Sequence, residues 1–422
     1  MTARPISPIR HAIEARVRVP ASKSVANREL LLSALAEGVS HVDLGPLDPG
    51  DDVRTMRAAL AALGYDVDGG PTGIVRIRGG SPRGGDVTAD AADAGTVARF
   101  VLALAATLPQ RTTIDGSARM RERPMATLAR ALRELGATVE GEALPIAARG
   151  PLRGGRVEVP GHQSSQFASA ILLAAPRAVE PVELRLSGTV VSAPFIDLTI
   201  CALADRGVKV ERGALPNAYR VTPQKVKARR VTVPGDATAA SYPAAAAAIL
   251  GGSVRVDGVD PQVRAGAQGD ARFFAVLREM GCGLSSLGGG ATVTRRGPLY
   301  GIRENVRDIS DVFPTLAVVA ACAEGPTEIL GVGHTRGQES DRIAVVSAGL
   351  RALGGRVTEY ADGIRVEPVP LHGGLVDAAG DHRIAMAFSI LGLVVPGVAI
   401  EGWDSVSKTF PGFYEMVRGL GH

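Results

Sequence analysis

Val19-Pro20-Ala21-Ser22-Lys23-Ser24-Val25-Ala26-Asn27-Arg28 reads as the end of a strand, a stop and the opening of a helix. Pro20 halts the strand after a β-branched residue. Ser22 or Ser24 can cap the helix, whose apolar face continues through Leu30, Leu31 and Leu35. A helix N-terminus offers free backbone N–H groups and positive partial charge, so it suits an anion. Lys23 and Arg28 add two full charges at the same end. An ordinary capped helix with solvated cations would read the same way, so the junction does not decide the matter alone.

Similar strand-to-helix junctions recur near Val87 (TADAADAGT), Val159 (PGHQSSQ), Val233 (PGDATAA), Val306 (RDISDVFP) and Val376 (DAAGDHRIA), in steps of 68 to 74 residues. A second signature keeps the same period. Helical segments stop at Leu63-Gly64, Leu135-Gly136, Arg206-Gly207, Met280-Gly281, Leu353-Gly354 and Leu420-Gly421, where Gly just past a helix end favours a left-handed stop. Short alternating segments follow five of them, such as Thr138-Val139-Glu140 and Val208-Lys209-Val210, and read as strands. Six copies of one α/β unit of about 70 residues account for both signatures.

A chain of 422 residues is long enough for two or three domains, and six repeats divide as three and three. The reading places residues 22–234 in one lobe and 235–422 in another, with residues 1–21, including a strand over Glu14 to Val19, joining the second lobe. Crossings near residues 21 and 234 would form a double hinge with a cleft between the lobes. Hydrophobic residues make up 45% and charged residues 21%, as in soluble globular proteins. The net charge is only +4 and aromatics are 4%, which leaves little for stacking nucleobases and favours small anions over nucleic acid. Cys201, Cys282 and Cys322 stand in apolar contexts without metal-ligand spacing, and read as buried free thiols of a reducing cytoplasm. No apolar signal core opens the chain, and the apolar run near Ala244 to Leu250 is too short to span a bilayer.

The junctions carry the candidate chemistry. Gly95, in Asp93-Ala94-Gly95-Thr96, lets a ligand approach backbone closely. Arg119, Arg121 and Arg123 precede a helix, and one of them could fork onto a carboxylate or phosphate. Ser164-Ser165-Gln166 sets paired hydroxyls at a helix start, without a Gly-x-Ser-x-Gly elbow. Ser192 follows in the same repeat. The fourth junction, Gly235-Asp236-Ala237-Thr238, reads as a structural cap. The fifth carries Asp308 and Asp311, with Arg336-Gly337-Gln338-Glu339-Ser340-Asp341-Arg342 downstream. Asp341 reads as a dipole partner of the helix it opens. A cleft acid beside a cation could instead move a proton. Arg383, in Asp381-His382-Arg383, opposes its helix dipole and so needs an anion or carboxylate partner. Lys408 stands ahead of the last helix.

VPASKSVANRELLLSALAEG, DAGTVARF, RMRERP, SSQFASAILLAAP, QESDRI, DHRIAMAF and SKTFPGF, in that order over about residues 15 to 416, resemble the signature blocks of the 5-enolpyruvylshikimate-3-phosphate synthase family. The resemblance implies a two-lobed, inside-out α/β barrel of six βαβαββ repeats, three per lobe. It implies an enolpyruvyl transferase: the enolpyruvyl group of phosphoenolpyruvate passes to the 5-hydroxyl of shikimate 3-phosphate with release of phosphate. Neither metal nor organic cofactor is implied, and no membrane or nucleic-acid partner; a cytoplasmic monomer is expected. Glyphosate competes with phosphoenolpyruvate in this family and is expected as an inhibitor. By matched position, Ser24, Arg28, Ser164, Ser165 and Ser192 resemble the shikimate-phosphate contacts, with Asp311, His334 and Gln338. Arg123, Arg342, Arg383 and Lys408 resemble the phosphoenolpyruvate contacts, with Gly95 and Gln166 close by. Lys23 resembles the lysine shared by both substrates. Asp311 is implied as base toward the hydroxyl, with Glu339 and Lys23 handling the other protons.

Four positions depart from the commonest family pattern: Asp93 and His334 stand where Asn is frequent, Phe195 where Tyr is frequent, and Gln338 where Lys is frequent. Two other readings stay open at this level. A transferase acting on UDP-N-acetylglucosamine shares such repeats but typically uses a mobile-loop cysteine, and Gly116 to Arg123 contains none. A non-catalytic anion-binding relative would have no need to keep Lys23, Asp311, Glu339 and Arg383 together.

Overall fold

In the computed structural model, residues 3–213, 215–262 and 266–421 are described. All six junctions are strands that run into helices. The strands are β1 Ile13–Arg18, β2 Val87–Asp90, β3 Gly155–Pro160, β4 Arg230–Thr232, β5 Arg303–Asn305 and β6 Gly374–Asp377. The helices are α1 Lys23–Leu35, α2 Gly95–Ala105, α3 Ser165–Ala174, α4 Ala237–Leu250, α5 Phe313–Ala320 and α6 His382–Leu391. Small polar residues stop the strands and start the helices. The side chains of Ser22, Ser164, Asp236 and Asp381 each accept a first-turn backbone N–H. At the fifth junction a 3-10 stretch, Arg307–Val312, precedes α5 and is broken at Ile309.

The glycine stops at Gly64, Gly136, Gly207, Gly281 and Gly354 have φ between +82° and +104°, as a left-handed helix end requires. Gly421 lies outside that region, and the last helix ends at Gly419.

The second, third and fifth repeats pair their junction strand in parallel with the next strand, and a hairpin follows. β3 lies parallel to Val182–Ser187, which pairs antiparallel with Ala218–Val221, itself paired with Val210–Arg212. That last strand begins at Val210 and not at Val208, because the Gln224 side chain takes the backbone N–H of Lys209 at 2.9 Å. The first and fourth repeats exchange junction strands: β1 pairs with Gly252–Asp257 and β4 with Gly38–Asp43. In the sixth repeat Arg4–Pro5 pairs antiparallel with Val398–Glu401 in place of a hairpin. Arg4 is held there over the rings of Trp403 and Tyr414, at 4.6 and 3.9 Å. A two-residue strand containing Pro shows no periodicity, so the sequence did not betray it. All the sheets are open ladders of three or four strands, so the described strands close no barrel.

The chain divides into two compact units, Ala21–Val233 and the pair of segments up to Pro20 and from Pro234 onward. In the first, α2 packs on both α1 and α3; in the second, α4, α5 and α6 all touch one another. Five of these helices are mostly apolar or small and are buried accordingly, whereas α1 buries Asn27, Arg28 and Glu29 along with its leucines. The other long helices show one apolar stripe; Ala126–Glu134 buries Leu128, Ala129, Ala131 and Leu132 and exposes its arginines in part or fully. All three cysteines are free thiols, but only Cys282 is fully buried; Cys201 and Cys322 keep some exposure. Among the described residues no helix is long and apolar enough to cross a membrane.

Candidate active site

In unit Ala21–Val233 the first junction places Lys23 at the start of α1, where its Nζ lies 3.1 Å from Oδ2 of Asp52. Asp52 is buried near the start of helix Asp51–Ala62. Sequence reading missed it; the Asp51-Asp52 doublet was the available signal, and it looks like ordinary first-turn acid.

Ser24 is half-buried beside Lys23, and its carbonyl accepts from Arg28 Nη1 at 2.7 Å. Arg28 is buried, with Nε donating to Thr199 Oγ1 at 2.8 Å and Nη2 to Ser169 Oγ and the Phe195 carbonyl, at 3.2 and 3.0 Å. Its guanidinium also lies over the rings of Phe100 and Phe195, at 5.4 and 5.9 Å. Among the described residues no carboxylate pairs with it, and burial pulls its pKa down to about 9. It is therefore a buried cation with neutral partners, which an anionic ligand would stabilise.

Ser164 caps α3, and Ser165 is buried at its first position. Gln166 follows, its Oε1 accepting from Arg99 Nη1 at 2.5 Å. Arg99 is itself buried over the Phe167 ring. Sequence reading assigned Arg99 nothing, because its partner is 67 residues away. Ser192 has φ +52°, an uncommon conformation for a residue with a Cβ.

Of the three arginines before Pro124, Arg119 and Arg121 are exposed and pair with Glu122 and Asp115. Arg123 is buried, with Nη1 donating to the Asp93 carbonyl at 3.5 Å. The Asp93 carboxylate accepts from the Ser117 hydroxyl. A Cβ on Gly95 would meet Nη1, Cζ and Nη2 of Arg123 at 2.7, 2.8 and 2.9 Å. Gly95→Ala must therefore displace the guanidinium. If Arg123 holds the anionic donor that the sequence resemblance implies, steady-state kinetics of Gly95→Ala should show the KM for that donor raised by about tenfold, on the order of one charge-assisted hydrogen bond, with a smaller fall in kcat. An unchanged KM would remove Arg123 from the donor site.

The other unit gathers its candidates into one ionic cluster. Arg342 is 1% exposed at the start of helix Arg342–Ala352. Its Nη1 lies 3.0 Å from Asp311 Oδ1, its Nη2 2.9 Å from Glu339 Oε2 and its Nε 2.8 Å from Asp381 Oδ2. Gln338 Oε1 also accepts from Nη1. Asp311 Oδ2 takes Arg383 Nη2 at 2.6 Å, and Glu339 Oε1 takes Lys408 Nζ at 3.2 Å. Arg383, the cation set against its helix dipole, thus has the carboxylate partner it needs. Burial works to lower both guanidinium pKa values, but the surrounding carboxylates outweigh it and hold both above the ordinary value.

His334 is partly buried, its Nε2 2.9 Å from Ser310 Oγ, and burial lowers its pKa. Asp341 caps helix Arg342–Ala352 and pairs with Arg336, which fits a dipole partner. Among the described residues no group of three or more His, Cys, Asp and Glu is placed to hold a metal ion. An anion could take the place of one carboxylate in this cluster, and Asp311 and Glu339 are carboxylates in it that could exchange a proton.

The family model described as EPSP synthase (3-phosphoshikimate 1-carboxyvinyltransferase) matches residues 8–417. The 3-phosphoshikimate 1-carboxyvinyltransferase of Methanosphaerula palustris is 42% identical over 411 residues, covering 95% of this chain and 96% of its own. That of Methanoregula boonei is 39% identical over 417 residues, covering 97% and 98%. The structure of EPSP synthase from Acinetobacter baumannii superposes with a TM-score of 0.82 at 28% identity, covering 100% of this chain and 98% of that one.

Proposed function

The chain belongs to the EPSP synthase family, and from that membership we propose how its residues share the transfer of the enolpyruvyl group of phosphoenolpyruvate to the 5-hydroxyl of shikimate 3-phosphate. Lys23, Ser24, Arg28, Ser164, Ser165 and Ser192 hold shikimate 3-phosphate, with His334 and Gln338 at its hydroxyls. Arg123, Arg342, Arg383 and Lys408 hold phosphoenolpyruvate, with Gly95 and Gln166 beside it, and Lys23 serves both. Arg342 is already engaged by three carboxylates, so on this reading it gives up one of them as the donor arrives.

The proposed reaction is addition and then elimination. A proton from Glu339 or Lys23 goes to C3 of phosphoenolpyruvate, leaving cation character at C2. The 5-hydroxyl oxygen bonds to C2 and gives its proton to Asp311. In the tetrahedral species that results, the bond from C2 to the phosphate oxygen breaks, the departing phosphate carries off the proton that Asp311 took, C3 returns a proton to Glu339 or Lys23, and the double bond reforms. Arg383 and Lys408 spread the charge of the leaving phosphate. Glyphosate is proposed to compete with the donor at Gly95 and Arg123.

The observation that carries this reading is the carboxylate of Asp311. It sits on the broken 3-10 stretch, between the buried guanidinium groups of Arg342 and Arg383, one on each carboxylate oxygen. The test is phosphate release from phosphoenolpyruvate after exhaustive chelation. Release should require shikimate 3-phosphate and persist without metal. Turnover with UDP-N-acetylglucosamine and none with shikimate 3-phosphate would overturn the proposal, as would no turnover with either.

A further inference from the structure

The fourth junction differs from its neighbours in how its helix start is satisfied. The backbone N–H of Ala239 donates to Asp236 Oδ1 at 2.9 Å, and that of Ala237 to Gln268 Oε1 at 3.0 Å. Gln268 Nε2 returns a bond to the Gly235 carbonyl at 2.8 Å. The turn Gly269–Ala271 is thereby tied to the start of α4, and it packs against the stretch Arg307–Val312 that carries Asp311. On this turn stands Asp270, 2% exposed. Its Oδ2 accepts from the Thr238 hydroxyl, while its Oδ1 has no hydrogen-bond partner among the described residues.

We propose that Asp270 is a positioning residue for the transfer, a second buried carboxyl whose charge sets how strongly Asp311 takes the hydroxyl proton. This rests on the assignment of Asp311 as base. Burial raises the Asp270 pKa to about 7, and the charges of Asp311 and Asp236 push the same way. The Thr238 hydroxyl and Arg383 oppose them. Arg272, on the helix that follows the turn, is drawn off to Glu304 and the Asn305 carbonyl. Coupling between two sites is reciprocal. If the charge on Asp311 hinders ionisation of Asp270, an ionised Asp270 must raise the proton affinity of Asp311. Below neutrality Asp270 is a neutral acid and Asp311 the weaker base; above it Asp270 is charged and Asp311 the stronger. A tenfold gain in basicity gives about threefold in rate when the proton is half transferred.

The experiment is the pH profile of kcat with both substrates saturating, for the native protein, Asp270→Asn and Thr238→Val. The native kcat should rise by about threefold through an ionisation near pH 7. Asp270→Asn, an isostere of the neutral acid, should remain active at the low-pH level and lose the rise. Thr238→Val removes a bond that favours the charged form, so its rise should move to higher pH. The substrate phosphates titrate in the same range but do so equally in all three proteins. If Asp270→Asn does not fold, the displaced rise in Thr238→Val decides the matter. A rise that stays in place in either variant overturns the role of Asp270. Shikimate-dependent phosphate release by the native protein would still stand, so failure of this inference is distinct from failure of the proposed function.

Discussion

Asp311→Asn is expected to lower kcat by about 10²–10⁴-fold, the range for loss of a general base. Asn keeps the shape of the carboxylate and can still accept a hydrogen bond, but it cannot take the proton of the 5-hydroxyl. The substitution also removes negative charge from between Arg342 Nη1 and Arg383 Nη2, which lie 3.0 and 2.6 Å from the two carboxylate oxygens. Arg342 keeps Glu339 and Asp381 as partners, so the cluster should survive. With less competition for both cations, the KM for phosphoenolpyruvate should stay level or fall. Steady-state kinetics with both substrates varied separates the two effects. A kcat within a few-fold of native would show that another group takes the proton. A raised KM with kcat preserved would mean that Asp311 only organises the donor site.

The largest expected effect on stability lies in unit Ala21–Val233. Glu29→Ala should destabilise it by about 3–5 kcal/mol, because it strands a buried guanidinium. Arg206 is 0% exposed. Its Nη2 donates to Glu29 Oε2 at 2.6 Å and to Ser33 Oγ at 2.9 Å, and its Nη1 to Ser40 Oγ at 3.2 Å. Burial lowers its pKa and Glu29 opposes that shift. In other repeats the residue before the glycine stop is Leu63, Leu135, Met280 or Leu353, each with no measurable exposure. The third repeat thus places an ion pair where the others place an aliphatic side chain. Replacing both partners by apolar residues, as in Glu29→Leu with Arg206→Met, should restore most of the stability. Urea unfolding of the single and double variants measures this. A single variant as stable as the native protein would mean that water or another carboxylate reaches Arg206.

The repeat was legible because it is local and recurs. A strand, a capped helix and a glycine stop each need a few neighbouring residues, and six copies in phase support one another. The strand at Arg4–Pro5 was not legible, since its partner is Val398–Glu401 and its two residues have no period. The exchange of β1 and β4 was legible only as lobe membership, with residues 1–21 assigned to the second lobe and 22–234 to the first; the strands they pair with leave no trace in spacing. In the site, the residues at junctions stood out by charge and position. Asp52, Arg99 and Asp270 did not. Each acts on a residue far away in the chain, Lys23, Gln166 and Asp311 respectively, and each looks locally like ordinary surface charge. The carboxylates that fill the fork of Arg342 were visible one by one, but their convergence on one guanidinium was not. Gln338 accepts from the same guanidinium, so a lysine at that position would set a second cation against Arg342 in this arrangement.

Product structure in heavy water tests the central claim most directly. The chain would be incubated in D2O with phosphoenolpyruvate, shikimate 3-phosphate and a chelator, and the product followed by proton NMR. Protonation at C3 makes a methyl group that must give back one hydrogen, so solvent deuterium should enter the enolpyruvyl methylene of an ether at the 5-oxygen. A 5-enolpyruvyl ether free of solvent deuterium would contradict the addition and elimination steps, and no such ether at all would contradict the transfer itself.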